Sequence, residues 1–253
     1  MLENDVNISN SEEQSEPVLN SDYAPKKEDK FPLWKRAVLL GIGSFGLELI
    51  AIIVTFLTIG IPKSDRSGAI NLITYSIVFV ALISVIFTDI PKRFLPTFKK
   101  WQPYVIGIGI GASIIIFDIV YITFVNLFYT AETSANESGV RNVIDVYPIA
   151  SVFLFGIIGP LCEELTYRVG LFGLLKRVNR VLAYVVTGLV FGFLHFSFTS
   201  SDIINELIFL PSYIVPGVAL AVAYDLFDLP CAWTAHCVNN LWAIIGHIIL
   251  SRM

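Results

Sequence analysis

Glu163, Glu164, Arg168, His195, His236 and Asn240 are the side chains of this sequence whose types and spacing could act together on a reacting group. In Gly159-Pro160-Leu161-Cys162-Glu163-Glu164-Leu165-Thr166-Tyr167-Arg168, two adjacent carboxylates close an apolar run. Neighbours on a helix point about 100° apart, whereas Glu164 and Arg168, at i and i+4, share a face. Arg168 can then neutralise and hold Glu164, which leaves Glu163 to face a cavity as a proton-transfer group. The plainer reading makes all three the wet edge of a membrane span. His195 reads as buried within an apolar, aromatic helical stretch that runs from Gly188 to Phe196. Hydrogen bonding to a neighbouring helix would explain it without catalysis, and Gly188 and Gly192 would let such a helix come close. His236 and Asn240 are again i and i+4, with Asn239 near the same face. Together these groups suit water activation: a carboxylate and two histidines can work as a general base or through a divalent metal, and an amide with a histidine can donate to an oxyanion.

The elements that must position these groups are membrane helices. Of 253 residues, 55% are hydrophobic and 15% charged, which excludes an ordinary water-soluble domain. A spanning helix needs about 20 apolar residues. Candidate stretches run over 37–61, 69–88, 104–129, 147–161, 181–198, 207–224 and 231–250. The expected fold is all-α, a polytopic transmembrane helical bundle of about seven to eight spans with the site among the later helices. Residues 1–34 read as a disordered cytoplasmic tail, 35–146 as N-terminal transmembrane helices and 147–253 as the core that carries the site.

Positive charge sets the orientation. Lys35 and Arg36 precede the first span, Lys92, Arg93, Lys99 and Lys100 follow the second, and Lys176, Arg177 and Arg180 follow the fourth. The N-terminus is therefore expected in the cytoplasm, with the acidic segment 131–145 outside and Glu163 at the cytoplasmic end of its span. Cys162, Cys231 and Cys237 read as small apolar residues rather than a disulfide framework. No nucleic-acid footprint is present. Glu48 and Asp118 are further intramembrane acids without a local basic partner, suited to a remote ion pair, to the cavity wall or to substrate entry. Asp225 and Asp228 read as a solvated loop, and His247 as an interfacial residue.

The ordered motifs E-E-x-x-x-R (Glu163 to Arg168), F-x-x-x-H (Phe191 to His195) and H-x-x-x-N (His236 to Asn240) resemble the CAAX-protease and bacteriocin-processing family of intramembrane endopeptidases. The resemblance covers roughly residues 147–246. It implies that Glu163 activates water, that His195 helps hold it, that His236 and Asn240 orient it or stabilise the oxyanion, and that Glu164 and Arg168 brace the site. One departure is visible: the family arginine is usually followed by glycine, whereas Val169 here precedes Gly170. No cofactor is certain. Zinc or another divalent metal is the alternative to a bare glutamate, and His195, His236 and Glu163 would be its ligands, although the H-E-x-x-H platform is lacking. The implied partner is a membrane-associated peptide or protein in the lipid bilayer. The few cysteines and polar tail suggest a bacterial, multi-pass cell-membrane protein, for which peptide pheromones, bacteriocin precursors or lipid-anchored proteins are better substrates than prenylated ones. Alternatives are a non-hydrolytic bacteriocin-immunity or sensor-kinase-regulating protein on the same scaffold, and a proton-coupled transporter using Glu48, Asp118 and the histidines.

Overall fold

A computed structural model gives the structure of residues 31–253, and most of the expected N-terminal tail lies outside the described residues. Among the described residues there are helices and no strands. The order is α1 (Leu33–Leu57), α2 (Arg66–Phe98), α3 (Gln102–Val125), α4 (Ala135–Val146), α5 (Pro148–Leu175), α6 (Arg180–Leu194), α7 (Ile203–Phe227) and α8 (Leu229–Leu250). Helices satisfy their own backbone groups, so each long apolar run becomes one. Five of them, α1, α2, α3, α5 and α7, are long and apolar enough to cross a membrane. The other two expected spans form as helices as well. α6 is shorter, and α8 has 22 residues whose apolar character is diluted by His236, Asn239, Asn240 and His247. Outward faces carry large apolar side chains, such as Phe45, Leu49, Ile52 and Phe56 on α1.

Three of the expectations need correcting. The fourth span does not end near Leu161: α5 runs on to Leu175, so Glu163 sits mid-helix, about 18 Å before its end. The reason is internal neutralisation, since Glu164 and Arg168 pair with each other and are fully buried. Asp225 is not in a solvated loop either. Its side chain is 2% exposed and is shared by Lys176, Arg180 at 2.6 Å and the Tyr184 hydroxyl at 2.6 Å, which ties the start of α6 to the end of α7. The segment expected to be an external loop contains α4, which opens on a Ser134-x-x-Glu137 cap in which Ser134 Oγ accepts from Glu137 N–H at 3.2 Å.

Small residues set how closely the helices pack. Gly107 and Gly111 bring α3 against the backbone of α8, where an added Cβ would lie 2.7 Å from Cys231 O and 2.8 Å from Ala235 O. Gly188 of α6 faces Gly217 of α7, the close approach expected from the sequence. Gly111→Leu should therefore destabilise the bundle by about 1–3 kcal/mol or more through overpacking. Gly109→Leu, two residues earlier on the opposite face of the helix with nothing within 4 Å of its Cβ, should be neutral. Thermal unfolding of both variants in detergent checks this, and equal melting temperatures would disprove the packing account.

Candidate active site

Helix α5 supplies the carboxylates, and its backbone departs from α geometry in two places. Residues Leu154–Ile158 and Glu164–Phe172 are π-helical, a form that concentrates at functional sites. In the first, Gly159 N–H bonds to Leu154 O, and Pro160 has no N–H to offer, so the neighbouring carbonyl of Phe155 lacks a backbone donor. Asn240 Nδ2 of α8 donates to it at 3.0 Å, and Trp233 Nε1 donates to Ile157 O at 3.0 Å. A proline in α5 thus fixes a polar side chain of α8.

The second π segment lies against α1. Arg36 is fully buried and donates to Val169 O at 2.6 Å, and a side chain at Gly173 would collide with the Arg36 guanidinium. At Gly170 a Cβ would sit 3.2 Å from Arg36 O and 3.2 Å from Leu40 N, tighter than most side-chain contacts. The shifted glycine of the motif therefore marks the point where the backbones of α1 and α5 meet.

Glu164 Oε2 accepts from Arg168 Nε at 3.1 Å, and its Oε1 lies 2.9 Å from His236 Nδ1. A carboxylate only accepts, so Nδ1 carries the proton and Nε2 is turned toward Glu163 Oε2, 3.7 Å away. Glu163 is one-fifth exposed, its Oε2 is enclosed, and that oxygen makes no hydrogen bond. Arg168 also lies over the Phe191 ring, 5.0 Å from its centre, with Nη1 and Nη2 unbonded. His195 terminates α6, where its Nδ1 donates to Phe191 O at 2.8 Å. Its ring stacks on Tyr213 at 4.8 Å, and Phe191 packs between it and His236, with centroid distances of 4.7 and 5.7 Å.

Glu163, His195, His236 and Asn240 all line one cavity of about 620 Å³. Asn239, Tyr75, Tyr213 and Asp118 share its wall, whereas Glu48 is exposed and lies outside it. Sequence reasoning missed Tyr75 and Tyr213, whose types and local spacing carry no signal, and it treated Phe191 only as a motif letter. The cavity also lies at an unexpected end of the bundle. Its wall includes Asn136 and Glu137 of α4, Ser67 and Asn71 early in α2, and Phe209 to Pro216 early in α7, while the Lys176–Asp225–Arg180 cluster closes the opposite ends of α5, α6 and α7. Glu206, 2% exposed, holds the cavity end together by accepting from Ala135 N–H at 2.8 Å and Ser197 N–H at 3.1 Å. Glu163, expected at the cytoplasmic end of its span beside the basic loops, therefore faces a cavity on the α4 side instead, because α5 continues for a further three turns or so beyond it.

Among the described residues no three His, Cys, Asp or Glu side chains are grouped to hold a metal ion. His236 Nδ1 is committed to Glu164 and His195 Nδ1 to Phe191 O, so each histidine has only Nε2 to offer. The roles derived below belong to the side chains themselves.

Comparison with known proteins finds a family match over the later helices. Residues 145–242 match the family model described as type II CAAX prenyl endopeptidase Rce1-like. An uncharacterized protein of Mycoplasma capricolum subsp. capricolum is 28% identical over 236 residues, which cover 84% of this chain and 68% of the relative. No solved structure matches the chain.

Proposed function

Because residues 145–242 belong to the CAAX-protease and bacteriocin-processing family, we propose that the protein is an intramembrane endopeptidase that hydrolyses a peptide bond of a membrane-associated peptide or protein with water activated by Glu163. The observation that carries this reading is the pairing of two adjacent carboxylates with different fates: Glu164 is saturated by Arg168 and His236, while Glu163 lines the cavity, is one-fifth exposed and has an oxygen, Oε2, that makes no hydrogen bond.

In this reading a water bound between Glu163 and the Nε2 atoms of the histidines gives a proton to Glu163 as its oxygen bonds to the scissile carbonyl carbon. The negative charge that develops on the carbonyl oxygen is met by a donor from α8, the second N–H of Asn240 Nδ2. Collapse breaks the carbon–nitrogen bond, and Glu163 returns the proton to the leaving amine. Glu164 holds His236 in one tautomer, as a carboxylate does for a histidine in hydrolytic triads. Tyr213 and Phe191 fix the plane of His195.

Quenched fluorescent libraries of apolar peptides, offered to the purified protein in detergent, test the reading. Wild type should cleave, and His195→Ala should lose about 10²-fold or more in rate if it holds the nucleophilic water. Chelator treatment of wild type decides separately whether a metal takes part. Cleavage indistinguishable between wild type and variant would instead favour a non-hydrolytic immunity or regulatory protein.

The positive charges add a location. With Lys35, Lys92, Lys99 and Lys176 on the cytoplasmic side, the α4 end and the cavity face outward, so the substrate is reached from the outer half of the bilayer. A cysteine at Asn136 should then react with a membrane-impermeant maleimide in intact cells, while one at Lys176 should react only after permeabilisation. The reverse pattern would invert the topology.

A further inference from the structure

Asp118 is the one acidic or basic side chain in α3 and stands on the wall of the same cavity as the groups described above. Its Oδ1 is enclosed by protein and makes no hydrogen bond of ordinary geometry, and its near neighbour on the same wall is the enclosed hydroxyl of Ser212 of α7. Among the described residues no Lys, Arg or His is ion-paired with Asp118. Among the described residues the cavity wall contains no lysine or arginine. Of its other acids, Glu137 is taken up by Arg141, with Nε at 3.1 Å and Nη2 at 2.5 Å, and Glu163 is assigned to the water. A carboxylate in a membrane helix costs several kcal/mol unless it meets a partner or water, and no countercharge for it is found among the described residues.

We infer that Asp118 recognises a cation on the substrate, so that the peptides taken into this cavity carry a lysine or arginine side chain, or a free amino terminus, near the scissile bond. The inference rests on the protease reading for the word scissile, but the recognition itself is a matter of binding. A cavity of about 620 Å³ is within the range that encloses small ligands and short peptide segments. In it an ammonium or guanidinium group would replace its lost hydration with the Asp118 carboxylate and the Ser212 hydroxyl, while flanking apolar residues meet Ile114, Ile115 and Leu220 of the wall. Neutral or acidic peptides of the same length would leave Asp118 without a countercharge or repel it, which is how a single buried acid sets specificity. Because Asp118 lies on α3, outside the segment 145–242 that carries the three motifs, substrate choice and water activation are divided between different parts of the chain.

The test uses matched apolar quenched-fluorescent peptides that differ in one position, lysine, arginine or norleucine, each with a free or an acetylated amino terminus. Cleavage is measured with wild type, Asp118→Asn and Asp118→Glu, and binding by anisotropy with Glu163→Gln and with the Asp118→Asn/Glu163→Gln pair. We expect wild type to prefer a cationic peptide by about tenfold or more, the size of a partly desolvated ion pair. Asp118→Asn should reduce that preference to about twofold or less, and Asp118→Glu should retain it. The free and acetylated arms tell a side-chain cation from a terminal one. Equal treatment of charged and neutral peptides by wild type, or a preference that survives Asp118→Asn, overturns the inference. If no peptide is cleaved but Glu163→Gln still binds cationic peptides better than the double variant does, the protease reading fails and the cation site stands.

Discussion

Glu163→Gln should fold as wild type does and cleave peptides about 10²–10⁴-fold more slowly, the range that a positioned general base supplies. The substitution keeps the shape of the side chain and removes only its basicity. It breaks no native hydrogen bond of Oε2, which has none, and His236 Nε2 is 3.7 Å away. Stability should therefore change little while activity is lost. Paired measurements of cleavage rate and thermal unfolding on the same preparation check both halves, and a variant that still cleaves at the wild-type rate would remove Glu163 from the chemistry.

The neighbouring Glu164→Ala should do the opposite first. Glu164 and Arg168 are both fully buried, and the carboxylate also holds His236 Nδ1 at 2.9 Å. Removing it leaves the Arg168 guanidinium enclosed with no anion, and Phe191 at 5.0 Å is its one aromatic compensation. Breaking a buried pair in this way costs about 3–5 kcal/mol. We expect a large fall in melting temperature in detergent or a failure to accumulate in the membrane. The double replacement Glu164→Leu/Arg168→Met removes both charges, and apolar replacement of a buried pair is often neutral or stabilising. It should restore much of the stability and no activity, since His236 would have lost the group that sets its tautomer. A double variant as unstable as Glu164→Ala would mean that the ion pair is not the source of the loss. The two substitutions change adjacent residues of one chemical type, and their contrast comes from one side chain facing the cavity and the other facing Arg168.

The Asp225 cluster offers a further contrast. It binds three helix ends to one another far from the cavity, through Lys176, Arg180 and Tyr184. Its role is to hold α5, α6 and α7 at the end away from the reaction, while Glu206 does the same at the cavity end through backbone amides.

By itself the sequence determined the helical class, the places of the long helices and the residues worth suspecting. Each of these is a local matter. Apolar runs must close their own hydrogen bonds in lipid, and charged or amide side chains inside such runs are too costly to be ignored. The i, i+4 pairing of Glu164 with Arg168 was legible for the same reason, as was the use of Gly188 for close packing. The tertiary structure decided what depends on neighbours from distant parts of the chain. His236, 72 residues from Glu164, commits its Nδ1 to that carboxylate and so separates the two adjacent glutamates. Asn240 is turned to a carbonyl that Pro160 and a π-helical turn leave open, 85 residues away. The end of α5 was misplaced because a mutually neutralising buried pair looks, in one dimension, like the edge of a span, and with it the side of the cavity was misplaced. Asp118 was visible as an acid without a local partner, but only the packing of α3 beside α7 and α8 puts it on the wall of the cavity that Glu163 faces.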